Sequence, residues 1–214
     1  MPLIENRRPP REYRQPLGTR TELHAPNAVV VYHCAMVRGE IEIEAKWRAD
    51  EHEHERLRAA LRRAGASYIG TVREINTIFD SVDGALRTRG HVLRLRLLDD
   101  GDSVLTLKGP ATFREGIKTR EETELHLTDR DAMLRILGSL GFSPVLEYEK
   151  ARESWDFDGA IVELDTLEFG RFVEIEGGEE QIRRSAEILG LDIGKTELRG
   201  YPGMMRAHQA GERV

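Results

Sequence analysis

Charged and apolar residues alternate along the chain from Glu40 onward. In the stretch EIEIEAKW, which begins at Glu40, every second residue carries a charge. Because successive side chains of a β-strand point to opposite faces, this pattern predicts a strand with one charged face and one apolar face. The charged face needs either water or a polar interior to receive it, and the strand by itself does not decide between them.

The same alternation recurs along the chain and predicts a sheet whose strands are separated by helices. Further strands are predicted at about 73–81, 92–98, 103–108, 118–127, 145–156, 160–166 and 171–176. Helices are predicted where apolar residues share one face of a helical period, at about 49–64, 129–140 and 179–189. Asp50 is the predicted N-cap of the first helix and Thr128 that of the second. Residues 194–214 show no clear period, and no element is predicted there.

The predicted strands share a charged face on which both signs occur. A flat sheet with this face in water and helices on its apolar face would explain any single strand. Its repetition favours a closed antiparallel barrel of about eight strands, a tunnel with a charged interior flanked by helices, within the α+β class. The basic residues on these faces are Lys46, Arg94, Arg96, Lys108, Arg120, Lys150 and Arg152. The acidic residues on them are Glu42, Glu44, Glu122, Glu124, Glu163, Asp165, Glu174 and Glu176.

A charged interior of this kind requires a ligand, because crowded charges are costly to remove from water unless they are paired. A polyphosphate with a divalent metal meets the requirement. Arginine and lysine bind phosphate oxygens, and paired carboxylates hold hard ions such as Mg²⁺ or Mn²⁺. Triphosphate has the size that suits several cations converging on one axis.

Length, charge and cysteine usage narrow the class of protein. The 214 residues suit one main domain, and the net charge of -6 gives no overall attraction to nucleic acid or to anionic membranes, so neither is a predicted partner. Cys34 is the only cysteine, which excludes an internal disulfide and a cysteine-based zinc cluster and predicts a cytoplasmic location. The longest apolar run, Ala28 to Tyr32, is too short to span a bilayer.

The order of short motifs in the strands resembles the CYTH superfamily of triphosphate tunnel metalloenzymes. The hallmark of that family, Glu-x-Glu-x-Lys, stands in the first strand as EIEAK, from Glu42 to Lys46. The motifs that follow in order are INTIFDS, LRLR, LTLKGP, KTREETEL, EKARESW, VELD and GRFVEIEG. The resemblance covers about residues 40–191 and is strongest with the class IV adenylyl cyclase-like branch. Thiamine triphosphatases and inorganic triphosphatases are related members.

The resemblance implies an eight-stranded antiparallel tunnel and a set of site residues, with Mg²⁺ or Mn²⁺ as cofactor. The implied catalytic residues are Glu42, Glu44 and Lys46. The implied triphosphate contacts are Lys46, Arg94, Arg96, Lys108, Arg120, Lys150 and Arg152. The implied metal ligands are Glu42, Glu44, Glu122, Glu124, Asp165, Glu174 and Glu176. The C-terminal segment departs from the family, since KTELRGYPGMM stands where relatives often carry a Ser-Tyr pair.

Three regions are predicted along the chain. Residues 1–38 are rich in arginine and proline and predict a flexible basic extension, which is interpreted as a solvated segment or, alternatively, as a contact for polyanions. Met36 as the working start of the chain is a third interpretation. The resemblance implies that residues 39–193 form the triphosphate tunnel domain. Residues 194–214 form a C-terminal tail, for which a cap on the tunnel is one interpretation, and a homodimer is an open alternative to a monomer.

Three functions fit these patterns, because hydrolases and cyclases grip a triphosphate in the same way. A divalent-metal-dependent phosphohydrolase acting on inorganic, nucleoside or thiamine triphosphate is the first hypothesis, since no nucleoside pocket is evident in the sequence. A class IV adenylate cyclase that converts ATP to cyclic AMP and pyrophosphate is the alternative. A non-catalytic polyphosphate-binding module is the second alternative, and the retained carboxylates argue against it.

Overall fold

A computed structural model of the protein describes residues 40–212 and residue 214, and the predicted extension at 1–38 lies outside the described residues. The strands are β1 Glu40–Ala49, β2 Ser67–Ser81, β3 Val92–Leu98, β4 Ser103–Lys108, β5 Thr112–Arg114, β6 Ile117–Leu127, β7 Phe142–Phe157, β8 Ala160–Leu167 and β9 Gly170–Glu176. The α-helices are α1 Glu51–Arg63, α2 Ala85–Thr88, α3 Arg130–Ser139, α4 Glu179–Leu189 and α5 Tyr201–Gln209. A 3-10 turn occupies Ile193–Lys195.

Eight strands form a closed antiparallel barrel because β1 pairs along both of its edges. The strand order is β1-β9-β8-β7-β2-β3-β4-β6, and β6 returns to pair with β1. The first half of β1, 40–44, pairs with β6, and the second half, 44–49, pairs with β9. The predicted α+β barrel is therefore confirmed. The short strand β5 is an addition that pairs with β6 alone among the described strands.

Local signals explain where most elements begin and end. The carboxylate of Asp50 accepts the backbone N–H of Glu53 and caps α1 as predicted. The predicted cap Thr128 is wrong by one residue, because the carboxylate of Asp129 accepts the N–H of Ala132 at the start of α3. The elements α2, β5 and α5 occupy segments in which the sequence pattern predicts none.

The apolar faces of the strands point outward and are covered by helices. Helices α1 and α4 pack against β1, β8 and β9, and the Trp47 indole there donates a hydrogen bond to the carbonyl of Asp192 at 2.8 Å. Helix α3 covers Phe79, Leu93 and Leu95 on the opposite wall. The buried residues that α1 and α4 form together with the strands beneath them are Ala45, Trp47, Leu57, Leu61, Ile117, Trp155, Phe157, Ala160, Val162, Leu164, Val173, Ile175, Ile182, Ala186 and Leu189. Because this core lies outside the barrel, the charged faces are left to form the interior.

One end of the interior is apolar, which the charged-interior prediction does not include. Phe172 shares the face of β9 that carries Glu174 and is fully buried. It packs with Ile78, Leu146 and the residues of α5 that face them. Helix α5 therefore lies against this end of the barrel. None of the helices in residues 40–212 has the length and the apolar character needed to cross a bilayer.

The β5–β6 hairpin is a tight turn that is fixed to the C-terminal segment. Its central residues, Glu115 and Gly116, both have left-handed backbones, with φ of 48° and 81°, a pair typical of a two-residue hairpin turn. A Cβ atom at Gly116 would collide with the carbonyl oxygen of Ile193 and lie 2.9 Å from Thr196 Oγ1. Glu115 also forms a salt bridge of 2.9 Å with Arg183. The hairpin is therefore held in one position.

We expect Gly116→Ala to destabilise the protein more than Gly101→Ala. Both glycines have a left-handed φ, but a Cβ atom at Gly101 would have no atom within 4 Å. Gly101→Ala should lower the free energy of unfolding by about 1 kcal/mol through backbone strain alone. Gly116→Ala should cost about 1–3 kcal/mol more, because the added methyl group is forced against the 193–196 segment. Urea denaturation measures both values, and equal losses would contradict this packing.

Candidate functional site

The interior of the barrel holds a cavity of about 590 Å³. All of the site residues predicted from the sequence line it except Asp165, which is fully buried and hydrogen-bonded to Arg152 and Tyr201. The predicted residues that line the cavity are Glu42, Glu44, Lys46, Arg94, Arg96, Lys108, Arg120, Glu122, Glu124, Lys150, Arg152, Glu174 and Glu176. A volume of this size is in the range of small-molecule sites.

Glu42 joins two cations of neighbouring strands. Its carboxylate accepts hydrogen bonds from Lys108 Nζ at 2.7 Å and from Arg120 Nε at 2.6 Å. Lys108 also forms a salt bridge of 2.8 Å with Glu122. Burial alone would raise the pKa of Glu42, but the charges of Lys108 and Arg120 hold it below its usual value. This carboxylate is therefore ionised near neutral pH.

Lys46 is buried between an acidic and an aromatic partner. Its Nζ atom lies 2.9 Å from Glu174 Oε1 and 3.9 Å from the centre of the Tyr201 ring. Burial would lower the pKa of Lys46, but Glu174 and Glu44 raise it above its usual value. A permanent positive charge is thus held at the cavity wall, and the face of an aromatic ring supports it.

Glu176 of β9 lies beside Glu42 and Glu44 of β1 and, unlike them, forms no salt bridge with any of the described residues. Glu44 and Glu176 are paired across the two strands, and Lys118 is 2.5 Å from Glu44. The pKa of Glu176 is raised to about 7, first by burial and then by repulsion from Glu42 and Glu44. Carboxylate oxygens in such a cluster are the ligands that Mg²⁺ and Mn²⁺ prefer. The donor type therefore suits a divalent metal, but the oxygens of Glu42, Glu44 and Glu176 are not gathered within 4.8 Å of one another as those of Glu163, Asp165 and Glu174 are.

A second acidic cluster is neutralised by Arg152. One oxygen each of Glu163, Asp165 and Glu174 lies within 4.8 Å of the others, an arrangement that could hold a metal ion. Arg152 donates to both oxygens of Asp165, at 2.8 and 2.6 Å, and contacts the other two carboxylates. Burial, followed by repulsion from Asp165, raises the pKa of Glu163 to about 8. A metal ion here would have to displace the guanidinium group from these carboxylates.

Arg94 and Arg96 can bind an anionic ligand in addition to their protein partners. Each lies near the Glu124 carboxylate, at 3.7 and 3.2 Å respectively. The Nε atoms of both arginines are buried and have no hydrogen-bond partner among the described residues. Burial and the charge of Arg94 lower the pKa of Arg96. An anionic ligand bound by the two guanidinium groups would relieve the repulsion between them.

Three residues of the interior, Glu74, Lys118 and Tyr201, are not among the site residues predicted from the sequence. Glu74 is almost fully buried and lies 3.4 Å from Lys150 and 3.5 Å from Arg96. The two-residue period that places Arg120 inside also places Lys118 there. Tyr201 follows Gly200 where the family resemblance places a Ser-Tyr pair. Glu74 has no charged neighbour at the nearest alternate positions of β2, so the charge pattern that marks the other strands is missing there.

Tyr201 connects α5 to the charged interior. Its hydroxyl group donates a hydrogen bond of 2.8 Å to Asp165 Oδ2, the same oxygen that Arg152 contacts. Burial, with a further contribution from Asp165, raises the pKa of Tyr201 well above its usual value. The hydroxyl group therefore stays protonated and serves as a donor. Asp165 is held between Arg152 and Tyr201, so that its place in the site depends on the C-terminal helix.

The sequence profile of the CYTH domain matches residues 40–201, which include every strand of the barrel. The chain belongs to the CYTH domain family. Members of this family bind triphosphate substrates, depend on metal ions, and are triphosphatases or adenylate cyclases. The charged interior of the barrel is thus the tunnel of a CYTH domain.

Among the known proteins similar to this chain, some are named adenylate cyclases and another is described as having triphosphatase activity. A "Putative adenylate cyclase" of Methanocaldococcus jannaschii is 29% identical over 150 residues, covering 70% of this chain and 83% of the relative. A Vibrio parahaemolyticus structure of the same designation has a TM-score of 0.68 at 21% identity and covers 79% of this chain and 100% of its own. A Hippeastrum protein, for which a dominant triphosphatase activity is described, has a TM-score of 0.61 at 21% identity, covering 81% of this chain and 97% of its own. The two structural likenesses show the fold.

We expect Glu74→Gln to weaken the fold in a pH-dependent way. Although burial opposes ionisation, Lys150, Arg152 and Arg96 hold the pKa of Glu74 at about 2, below the usual value of 4.5. Its stabilising contribution is therefore complete above about pH 4.5 and is lost as the pH falls toward 2. The variant should lose about 3 kcal/mol of unfolding free energy at neutral pH, and the difference from the wild type should shrink on acidification.

Urea denaturation at about pH 7 and about pH 3 measures this difference. Glu149→Gln, on the solvent side of β7, is the matched control because its partner Arg73 is also exposed. The control should change stability by less than about 0.5 kcal/mol. A loss in Glu74→Gln that stays constant with pH would show that the carboxylate charge does not stabilise the interior.

Proposed function

We propose that the protein is a divalent-metal-dependent triphosphatase that cleaves a phosphoanhydride bond inside the tunnel. The observation that carries the proposal is the separation of unbalanced charge within one cavity. Arg94 and Arg96 are neighbouring cations that line the cavity and repel each other, whereas Glu176 lies among carboxylates that repel it. A triphosphate with its metal ion neutralises both groups at once.

Phosphoryl transfer depends mainly on positioning and charge stabilisation, so this cavity needs no covalent nucleophile. Arg94, Arg96 and Lys46 would bind the phosphate oxygens, since their side chains line the cavity and carry positive charge. Glu42, Glu44 and Glu176 would hold the metal ion, which when bound polarises the phosphate oxygens as a Lewis acid.

Buried ion pairs keep these groups in place before a substrate binds. Glu174 fixes Lys46 in its charged form, and Glu74 lies between Lys150 and Arg96. Arg152 is clamped by three carboxylates and is therefore oriented in advance. A preorganised set of charges stabilises the transition state without the cost of reorienting dipoles during the reaction.

A class IV adenylate cyclase is the alternative, and the name of the Methanocaldococcus relative favours it. In that reaction the ribose 3′-oxygen of ATP attacks the α-phosphorus, and pyrophosphate leaves. The same cations would bind the triphosphate in both reactions. A non-catalytic polyphosphate-binding module is a further alternative. It would need the basic residues but not the cluster of Glu42, Glu44 and Glu176, which counts against it.

Product analysis separates these functions. We expect the purified protein with Mg²⁺ or Mn²⁺ to release orthophosphate from at least one substrate among inorganic triphosphate, ATP and thiamine triphosphate. Orthophosphate, pyrophosphate and cyclic AMP are measured in the same reactions. Cyclic AMP with equimolar pyrophosphate as the main products would overturn the triphosphatase in favour of the cyclase. Binding of triphosphate without any turnover would favour the non-catalytic module.

Glu42→Gln and Glu44→Gln should each lower metal-dependent turnover by about 100-fold or more, because each removes a charged ligand from the metal cluster. The amide keeps the shape of the side chain, and Lys108 retains Glu122, so Glu42→Gln should remain folded. Glu121→Gln is the matched control, since Glu121 is exposed on the other face of β6. Turnover is measured over a metal titration and folding by thermal unfolding. Unchanged turnover in both variants would mean that these carboxylates hold no catalytic metal.

A further inference from the structure

An aromatic side chain extends the row of charges at one place on the tunnel wall. Backbone pairing aligns Glu176 of β9 with Glu44 of β1, Glu44 with Lys118 of β6, and Lys118 with Phe113 of β5. Paired residues of antiparallel strands project to the same face of the sheet. Phe113 therefore lies on the interior face, in line with the carboxylates that fit a metal ion.

Phe113 is available to a ligand. It lines the same cavity as the charged residues, and 46% of its surface is exposed. Leu198 lines this cavity as well and is similarly exposed, at 47%. By contrast, three aromatic residues at the apolar end beneath α5 are buried, namely Tyr148, Phe172 and Tyr201. An exposed apolar rim next to a polar cavity is typical of a site that binds a partly apolar molecule.

The hairpin that carries Phe113 is rigid, which makes the ring a fixed surface. Its turn uses the left-handed residues Glu115 and Gly116, and Gly116 packs against Ile193 and Thr196 without space for a side chain. Glu115 is tied to Arg183 of α4. Little conformational freedom is left for a ligand to remove, so stacking on this ring carries a small entropic cost.

Inorganic triphosphate has no group that gains from an exposed phenyl ring. A planar heteroaromatic ring attached to a triphosphate does gain, because it stacks on the ring face while its phosphates reach the cations. We propose that Phe113 is the stacking platform for the heteroaromatic group of an organic triphosphate, so that the protein prefers such substrates to inorganic triphosphate. This proposal rests on the proposed triphosphate site. Adenine in ATP and the rings of thiamine triphosphate share the required chemistry.

The test compares the wild type with Phe113→Ala and Phe113→Trp on ATP, thiamine triphosphate and inorganic triphosphate. The wild type should have a higher kcat/KM for at least one organic substrate than for inorganic triphosphate. In Phe113→Ala the ratio of the organic to the inorganic kcat/KM should fall about 10- to 100-fold, the range expected for the loss of one stacking contact. Phe113→Trp should keep the ratio, since the larger ring also stacks. The organic substrate that loses most in Phe113→Ala identifies the ring.

Tyr68→Ala is the matched control, because Tyr68 is a similarly exposed aromatic residue that packs on Trp155 on the outside of the barrel. It should leave the ratio unchanged. A wild type that prefers inorganic triphosphate, or a Phe113→Ala variant that loses activity equally on all three substrates, would overturn the proposal.

Binding measurements keep the stacking proposal testable if no substrate is cleaved. Isothermal titration of ATP, thiamine triphosphate and inorganic triphosphate in the presence of Ca²⁺ then replaces kcat/KM. The same preference, and its loss in Phe113→Ala, would support the platform while the triphosphatase proposal fails. Equal affinities of the two proteins for all three ligands would overturn the platform itself.

Discussion

The pairing of β1 with both β6 and β9 is the constraint on which the rest of the structure depends. It closes the sheet, and a closed sheet has one face that water reaches only through the tunnel. The two-residue period of the strands then decides which side chains that face receives. Because the apolar residues of β1 are held outside by α1 and α4, its carboxylates and Lys46 must lie inside.

The interior is stable because most of its charges have partners before any ligand binds. Arg152 contacts three carboxylates, and Lys46 lies against Glu174 and the Tyr201 ring. The balance is incomplete near Glu176 and at the arginines of β3. Buried ion pairs of this kind contribute more to orientation than to net stability. The incomplete places are therefore where the chemistry of a triphosphate and its metal ion fits.

Sequence reasoning recovered the barrel because each strand repeats the same binary pattern, and the faces it assigned line the cavity together. It did not assign Glu74, whose strand mixes apolar and polar residues on its interior face. It also predicted no element at 201–209, where the helix depends on Tyr201, Met204 and Met205 entering the barrel end. Three anchors in one short segment are too few to give a helical period on their own.

The sequence by itself determined the strand faces, the signs of their charges and the family, because period and motif order are local properties of the chain. Only the tertiary structure decided which opposite charges pair, since partners such as Glu42 and Lys108 are 66 residues apart and meet through the barrel register. It also decided that the guanidinium group of Arg152 occupies the place among Glu163, Asp165 and Glu174 where a metal ion could otherwise bind. The position of Phe113 beside Lys118 likewise follows from the pairing of β5 with β6. Strand β5 has only three residues, which is too short for an alternation of polar and apolar residues to reveal it in the sequence.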